Sequence, residues 1–205
     1  MKRLAIFGGS GHGKVVADTA ELSGWSDILF FDDAWPTRTR IGKWEVVGTF
    51  VHLLQRLQEF EGVIVAIGDN SFRYEKSITL LQHSAPLTTL VHPAATVSAY
   101  ATIGPGSVVF AGAVINAGAC VGLAGILNTG CSVDHDCVLA DSVHISPGVR
   151  LAGGVKVGDR AWVGIGACVR QMVSIGPDAI VGAGAAVVSD VVGGETVVGV
   201  PARSL

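Results

Sequence analysis

The chain has 205 residues, 49% hydrophobic and only 15% charged, with 28 glycines, a balance that excludes intrinsic disorder and fits a packed, glycine-punctuated protein. A net charge of −3 provides no bulk basic field for nucleic acid. No apolar stretch of about 18 residues is free of charges and turn signals, so no membrane span is expected; the first apolar run, Leu4–Phe7, is too short for a secretion signal.

Leu4–Phe7 reads as a strand, followed by the turn Gly8-Gly9-Ser10-Gly11-His12-Gly13-Lys14 and a helical pattern from Val15 to Leu22. Strand, glycine-rich turn and helix together present backbone N–H groups to a phosphate. The P-loop spacing is met from Gly8 to Lys14, but Val15 replaces the hydroxyl residue that binds Mg²⁺, so an ATPase is not expected. A second strand, Ile28–Phe31, ends in Asp32-Asp33, about 20 residues past the glycines, where a nucleotide-binding βαβ unit places an acid near the ribose. A tight turn without ligand and a pair of solvated acids fit the same residues. A loop with Trp35, Pro36 and Trp44 follows, then a helix over Phe50–Phe60, a buried strand Val63–Ile67 ending in Gly68-Asp69-Asn70, and a helix from Ser71 to His83. The three turns fall on one edge of a parallel sheet, where such sheets bind ligands. With Lys14 and Arg73 as local cations for a phosphate, residues 1–88 form an α/β, Rossmann-like domain.

From Val91 to Val187 an aliphatic residue occupies every sixth position, 17 times in succession, and the residue four places later is always small. A strict period of six predicts a parallel β-helix over residues 89–205, with three hexads to each three-faced coil and between five and six coils. Gly104, Gly122, Gly158, Gly164, Gly176 and Gly182, each next to the aliphatic, are expected at corners with φ > 0. Cys131 and Cys137 fall at inward small positions, and no CxxC pair exists, which fits a reducing cytoplasm without disulfides or a zinc knuckle.

Chemistry must come from outward positions, and His135 is one, flanked by Asp134 and Asp136. A carboxylate beside an imidazole raises its basicity, as a general base needs, although a surface histidine among acids has the same spacing. Adjacent outward residues diverge, which argues against a metal site with His144. Gly153 stands three hexads after His135, hence one coil away on the same face, where its N–H suits an oxyanion.

These residues resemble a known family. The hexads resemble bacterial hexapeptide-repeat acyltransferases, which implies a left-handed β-helix and a homotrimer. Gly8–Gly13, Asp32-Asp33, Ile67–Asn70, Leu127-Asn128-Thr129, Val133–Val138 and Gly199-Val200-Pro201-Ala202 are similar to nucleotide-sugar N-acetyltransferases of the bacillosamine type, with relatives acting on GDP-perosamine and in sialic-acid clusters. The resemblance implies acetyl-CoA as co-substrate and a cytoplasmic enzyme without metal, N-acetylating a nucleotide-linked amino sugar for surface glycan or glycoprotein synthesis. It implies His135 as catalytic base with Asp136 tuning it, and His144 and the Gly153 amide at acetyl-CoA. It also implies Ser10, Gly11, His12, Asp32, Asp33, Gly68, Asp69 and Asn70 at the nucleotide-sugar. Where some relatives carry Glu, this chain has the shorter Asp136. The residues leave open UDP or GDP, the sugar, Asp134 or Asp136 as orienting acid, O-acetylation, and a non-catalytic sugar-binding protein.

Overall fold

The computed structural model describes residues 2–205. In the N-terminal domain, β1 (Arg3–Phe7), α1 (Gly11–Leu22) and β2 (Asp27–Phe31) precede a hairpin of β3 (Arg40–Ile41) and β4 (Trp44–Glu45). Then come α2 (Phe50–Gln55), a 3-10 turn, β5 (Gly62–Val65) and α3 (Asn70–Gln82). The sheet is parallel in the order β2-β1-β5, so its three C-terminal ends share one edge as the pattern required. Two local expectations shift. The helix after the glycine turn begins at Gly11 rather than Val15, and the one from Phe50 breaks after Gln55. The loop after β2 carries a hairpin whose two-residue strands are too short for a periodic signal.

The second half is the expected prism. Two-residue strands recur every six positions and pair in parallel with the strand three hexads on, as Leu90 with Val108 and Val114 with Ser132. They build three sheets. The repeated aliphatics from Val109 to Val187 and the small residues between them fill one continuous core. Each fully buried Val or Leu contributes about 1.5–3 kcal/mol, so the period of six is itself the stabilising pattern.

The glycines beside the aliphatics are present for a different reason than expected. The left-handed corner falls two residues later, at Gly106, Gly112, Gly118 or Gly154, and at Ala124, Asp136, Ser142 and Arg160. Gly158 and Gly164 have no positive φ; a Cβ there would lie 2.5 Å from the Pro177 nitrogen and 2.6 Å from the Val181 oxygen. Successive coils touch at these points, and only a missing side chain permits it.

One prism face positions both halves of the molecule. Its outward residues Leu90, Val108 and Ile126, with Phe110, are buried in a common core with Ile6, Val16, Ala17 and Ile64. Higher on the same face, His144, Trp162 and Ile180 are left by the small domain.

The corner column Ala124, Ser142, Arg160 is the second contact. Arg73 of α3 is 1% exposed. Its guanidinium donates to the carbonyls of Ala124 (2.8 Å), Ser142 (2.8 Å) and Val143 (3.2 Å) on the prism. On its own domain it donates to Ile67 O (2.9 Å), Gly68 O (3.1 Å) and Asn70 Oδ1 (2.8 Å). Asn70 Nδ2 donates to the carbonyls of Arg160 and Ala161, and Ser142 Oγ donates to Asn70 O. A buried guanidinium is expensive to desolvate, and six oxygens offset that.

Candidate active site

His135 follows the strand Ser132–Val133, at the corner leading into the next face. Its imidazole is 64% exposed and stands against Asp136, with Nδ1 2.9 Å from Oδ2. The shorter carboxylate therefore reaches the ring. Asp136 has φ +58°, and this left-handed turn folds its side chain back onto its neighbour. Asp134 does not touch the ring; its Oδ1 accepts from the His135 backbone N–H at 2.8 Å and from Asn116 Nδ2 at 3.0 Å. The hydrogen bond to Asp136, then the charge of Asp134, raise the His135 pKa. With Nδ1–H donated to Asp136, the lone pair resides on Nε2.

Two glycines frame this pair. A Cβ on Gly153 would lie 2.5 Å from His135 Nε2, and one on Gly118 would lie 2.5 Å from Asp136 Oδ1. Gly153 is thus the backbone that the basic nitrogen faces. Among the described residues its N–H makes no backbone hydrogen bond, so it is open to an incoming oxygen.

His144 lies elsewhere. Gly153 follows the strand Arg150–Leu151, whereas His144 belongs to the adjacent sheet. Asn128 Oδ1 accepts from Thr129 N–H, which turns its amide nitrogen toward His144 Nε2 at 3.1 Å. The proton of neutral His144 is therefore on Nδ1, which is buried without a partner. Trp162 packs on the ring at a centroid distance of 4.4 Å. Beyond it an apolar groove of about 430 Å³ runs past Ser146, Ile165 and Ile180.

At the sheet edge, Gly9, Ser10, Gly11 and Lys14 line a cleft of about 360 Å³ with Arg38 and Arg40. Asp32 shapes it: Oδ2 accepts from Gly9 N–H at 2.7 Å and pairs with Arg38 at 3.2 Å, and Oδ1 accepts from Ala34 N–H. Asp33 accepts from Phe50 N–H at the start of α2. Asp69 caps α3 through Phe72 N–H, Gly68 O accepts from Arg73, and Asn70 is buried in the domain junction. Arg73, expected as a phosphate cation, is committed to that junction, because the carbonyls around it exclude an anion. His12 also turns away from the cleft, packing edge-on against Phe110 at 5.6 Å with Nε2 buried and unpaired.

Burial, with the positive charge of Arg73, lowers the His12 pKa to about 4 and the His144 pKa to about 3, where His12 adds to the effect. The unfolded chain therefore takes up protons below pH 6.5 that the folded one refuses. Stability is full above that pH and falls between 6.5 and about 4, by about 1.4 kcal/mol per pH unit for each histidine. Melting curves at pH 7 and pH 5 should show the loss, and His144→Asn should halve its slope.

Residues 3–79 match the family model described as the PglD N-terminal domain. Over 191 residues the chain is 30% identical to GDP-perosamine N-acetyltransferase of Escherichia coli O157:H7, covering 90% of this chain and 85% of that protein. The chain belongs to the nucleotide-sugar N-acetyltransferase family. Two solved structures share the acetyltransferase fold over its whole length, a parallel sheet domain followed by a left-handed β-helix. The acetyltransferase domain of PglB from Neisseria gonorrhoeae FA1090, in complex with acetyl coenzyme A, has a TM-score of 0.95 and 42% identity over 100% of this chain and 99% of that one. PerB from Caulobacter crescentus, in complex with CoA and GDP-perosamine, has a TM-score of 0.95 and 38% identity over 100% and 98%. Among the described residues of this acetyltransferase, no His, Cys, Asp or Glu cluster is arranged to hold a metal ion, and no helix is long and apolar enough to cross a membrane.

Proposed function

We propose that this N-acetyltransferase moves the acetyl group of acetyl-CoA onto the amino group of a nucleotide-linked amino sugar. The observation that carries the reading is His135, its Nδ1 held by Asp136 and its Nε2 aimed at the Gly153 backbone. His135 Nε2 takes a proton from the sugar amine as its nitrogen attacks the thioester carbonyl. The Gly153 N–H receives the developing oxyanion. Collapse of the intermediate forms the amide and expels CoA thiolate, which the imidazolium reprotonates. Incubation with acetyl-CoA and a panel of UDP- and GDP-amino sugars, followed by mass spectrometry, tests this; no acetylated product from any amino sugar would sink it.

Residues 1–88 hold the nucleotide-sugar and residues 89–205 hold acetyl-CoA. The diphosphate fits the cleft among the Gly9–Gly11 turn, Lys14, Arg38 and Arg40. Asp32 acts by shaping that turn, which leaves Asp33 as the acid for ribose or base. Arg40→Ala is expected to raise KM for the nucleotide-sugar about tenfold or more, the worth of one charged hydrogen bond, and to leave KM for acetyl-CoA unchanged. Steady-state kinetics with each substrate varied will check it. The pantetheine arm fits the groove past Trp162, Ile165 and Ile180, which His144 also lines. Free thiols at all four cysteines fit a cytoplasmic setting.

The active unit is a homotrimer. In one chain the base and the donor groove lie at different edges of the prism, and the His135–Asp136 pair is open to water. Val138, Trp162, Ile165 and Ile180 are exposed on the outward faces. A cyclic assembly covers them and brings one copy's His135 to another's groove. Light scattering should give three chains per particle; a monomer at micromolar concentration contradicts it.

A further inference from the structure

The junction between the domains has chemistry that the transfer steps above do not use. Arg73 is the largest fully buried side chain, and it lines neither the sheet-edge cleft nor the apolar groove. Its acceptors divide into two sets. Ile67 O, Gly68 O and Asn70 Oδ1 form the turn after β5, at the sheet edge that ends beside the nucleotide cleft. Ala124 O, Ser142 O and Val143 O come from two successive prism coils. Asn70 extends the same link to a third coil through Arg160 O and Ala161 O. Three coils are thus read by two adjacent side chains of one helix. His135 lies between the first two coil contacts in the chain, and Gly153 between the second and third. The acidic neighbour, Asp69, is engaged in capping α3 and makes no ion pair with Arg73. Five N–H groups that reach six oxygens, one of them shared between two acceptors of Nη2, on a planar group without freedom to swivel, define an orientation rather than merely an attraction.

We infer that Arg73 is a positioning residue of the transfer reaction: its guanidinium sets the acceptor-binding edge of the small domain at a fixed height and angle on the prism. The inference rests on the function proposed above. Arg73 touches neither substrate, so its loss displaces the bound sugar amine relative to the thioester without removing a contact from either. A misplacement of about 1 Å lowers a transfer rate on the order of 10²-fold. Lysine retains the charge but offers one nitrogen in place of a fork.

Arg73→Lys is therefore expected to lower kcat about 10²-fold, with KM for acetyl-CoA and for the nucleotide-sugar each within about twofold of the parent. A purely structural role would lower the melting temperature and leave kcat of the folded fraction intact, which would overturn the inference. A rise confined to KM of the sugar would overturn it as well, because it would mean a direct ligand contact. If Arg73→Lys does not fold, Ser142→Ala removes the Oγ bond to Asn70 O at the same junction. It should lower kcat several-fold at unchanged KM, and an unchanged kcat speaks against the inference. Hydrogen exchange reads the link without turnover. In Arg73→Lys, amides near Gly68–Asn70 and near Ser142–Val143 should both exchange faster, and acceleration on one side alone would refute a shared link. Absence of activity in the parent protein would strike the proposed function and leave this exchange result to judge Arg73.

Discussion

His135→Ala is expected to lower kcat/KM about 10²–10⁴-fold while the protein folds and melts as the parent does, because the side chain is exposed and acts through one nitrogen. Nothing in the prism core depends on it. The companion substitution Asp136→Asn removes the main cause of the raised imidazole pKa. A base with a lowered pKa is neutral at lower pH, so the acid limb of the pH–rate profile moves downward. The maximal rate falls as well, since the weaker base draws the amine proton less strongly. Pre-steady-state or steady-state kinetics across pH 5–9 would separate the two variants. Near-parental turnover in His135→Ala would reduce the histidine to a surface residue among acids.

Gly153→Ala is the second large effect. The added methyl would stand 2.5 Å from His135 Nε2 and 2.6 Å from Cε1, closer than real carbon contacts allow. Gly153 itself has no left-handed φ, so alanine carries no backbone strain there and the fold should survive. The imidazole must rotate away from the one amide proposed to hold the oxyanion. Loss of one such donor geometry removes about 10²–10³ from kcat, and activity should fall by at least that. The control is Gly130→Ala, at a corner where an added methyl meets nothing but φ is +65°. It should lower the melting temperature and spare kcat. Parental kcat in Gly153→Ala would remove Gly153 from the mechanism.

The prism was legible because its period is enforced by packing, with each inward aliphatic seated on the one three hexads away. The same arithmetic that set Gly153 over His135 also sets Gly118 beside Asp136 and Asn116 beside Asp134, so those two supports were within reach of the sequence. Arg38 and Arg40 left only a weak sign, a cluster of cations in a loop. Their position depends on Asp32 and on a hairpin too short to show periodicity. Arg73 and His12 were misplaced for a common reason. Both sit in the first turn of a helix, just after a sheet-edge loop, and local pattern carries no information about the second domain against which they are buried.

The link through Ala124, Ser142 and Arg160 has a consequence for symmetry. Coils of a β-helix are spaced about 4.8 Å apart. A rotation about an axis parallel to the prism changes azimuth and leaves height unchanged. In the proposed homotrimer, with its axis along the prism, a small domain fixed beside residues 124 to 160 of one copy is therefore level with residues 135 to 153 of the other copies. Docked one coil higher or lower, the acceptor would miss each neighbouring base by about 4.8 Å, more than the roughly 3–3.5 Å that separates reacting atoms. The repeat thus serves as a ruler. Whole coils could be added at its far end without disturbing the reaction, but none could be inserted between Ala124 and Arg160.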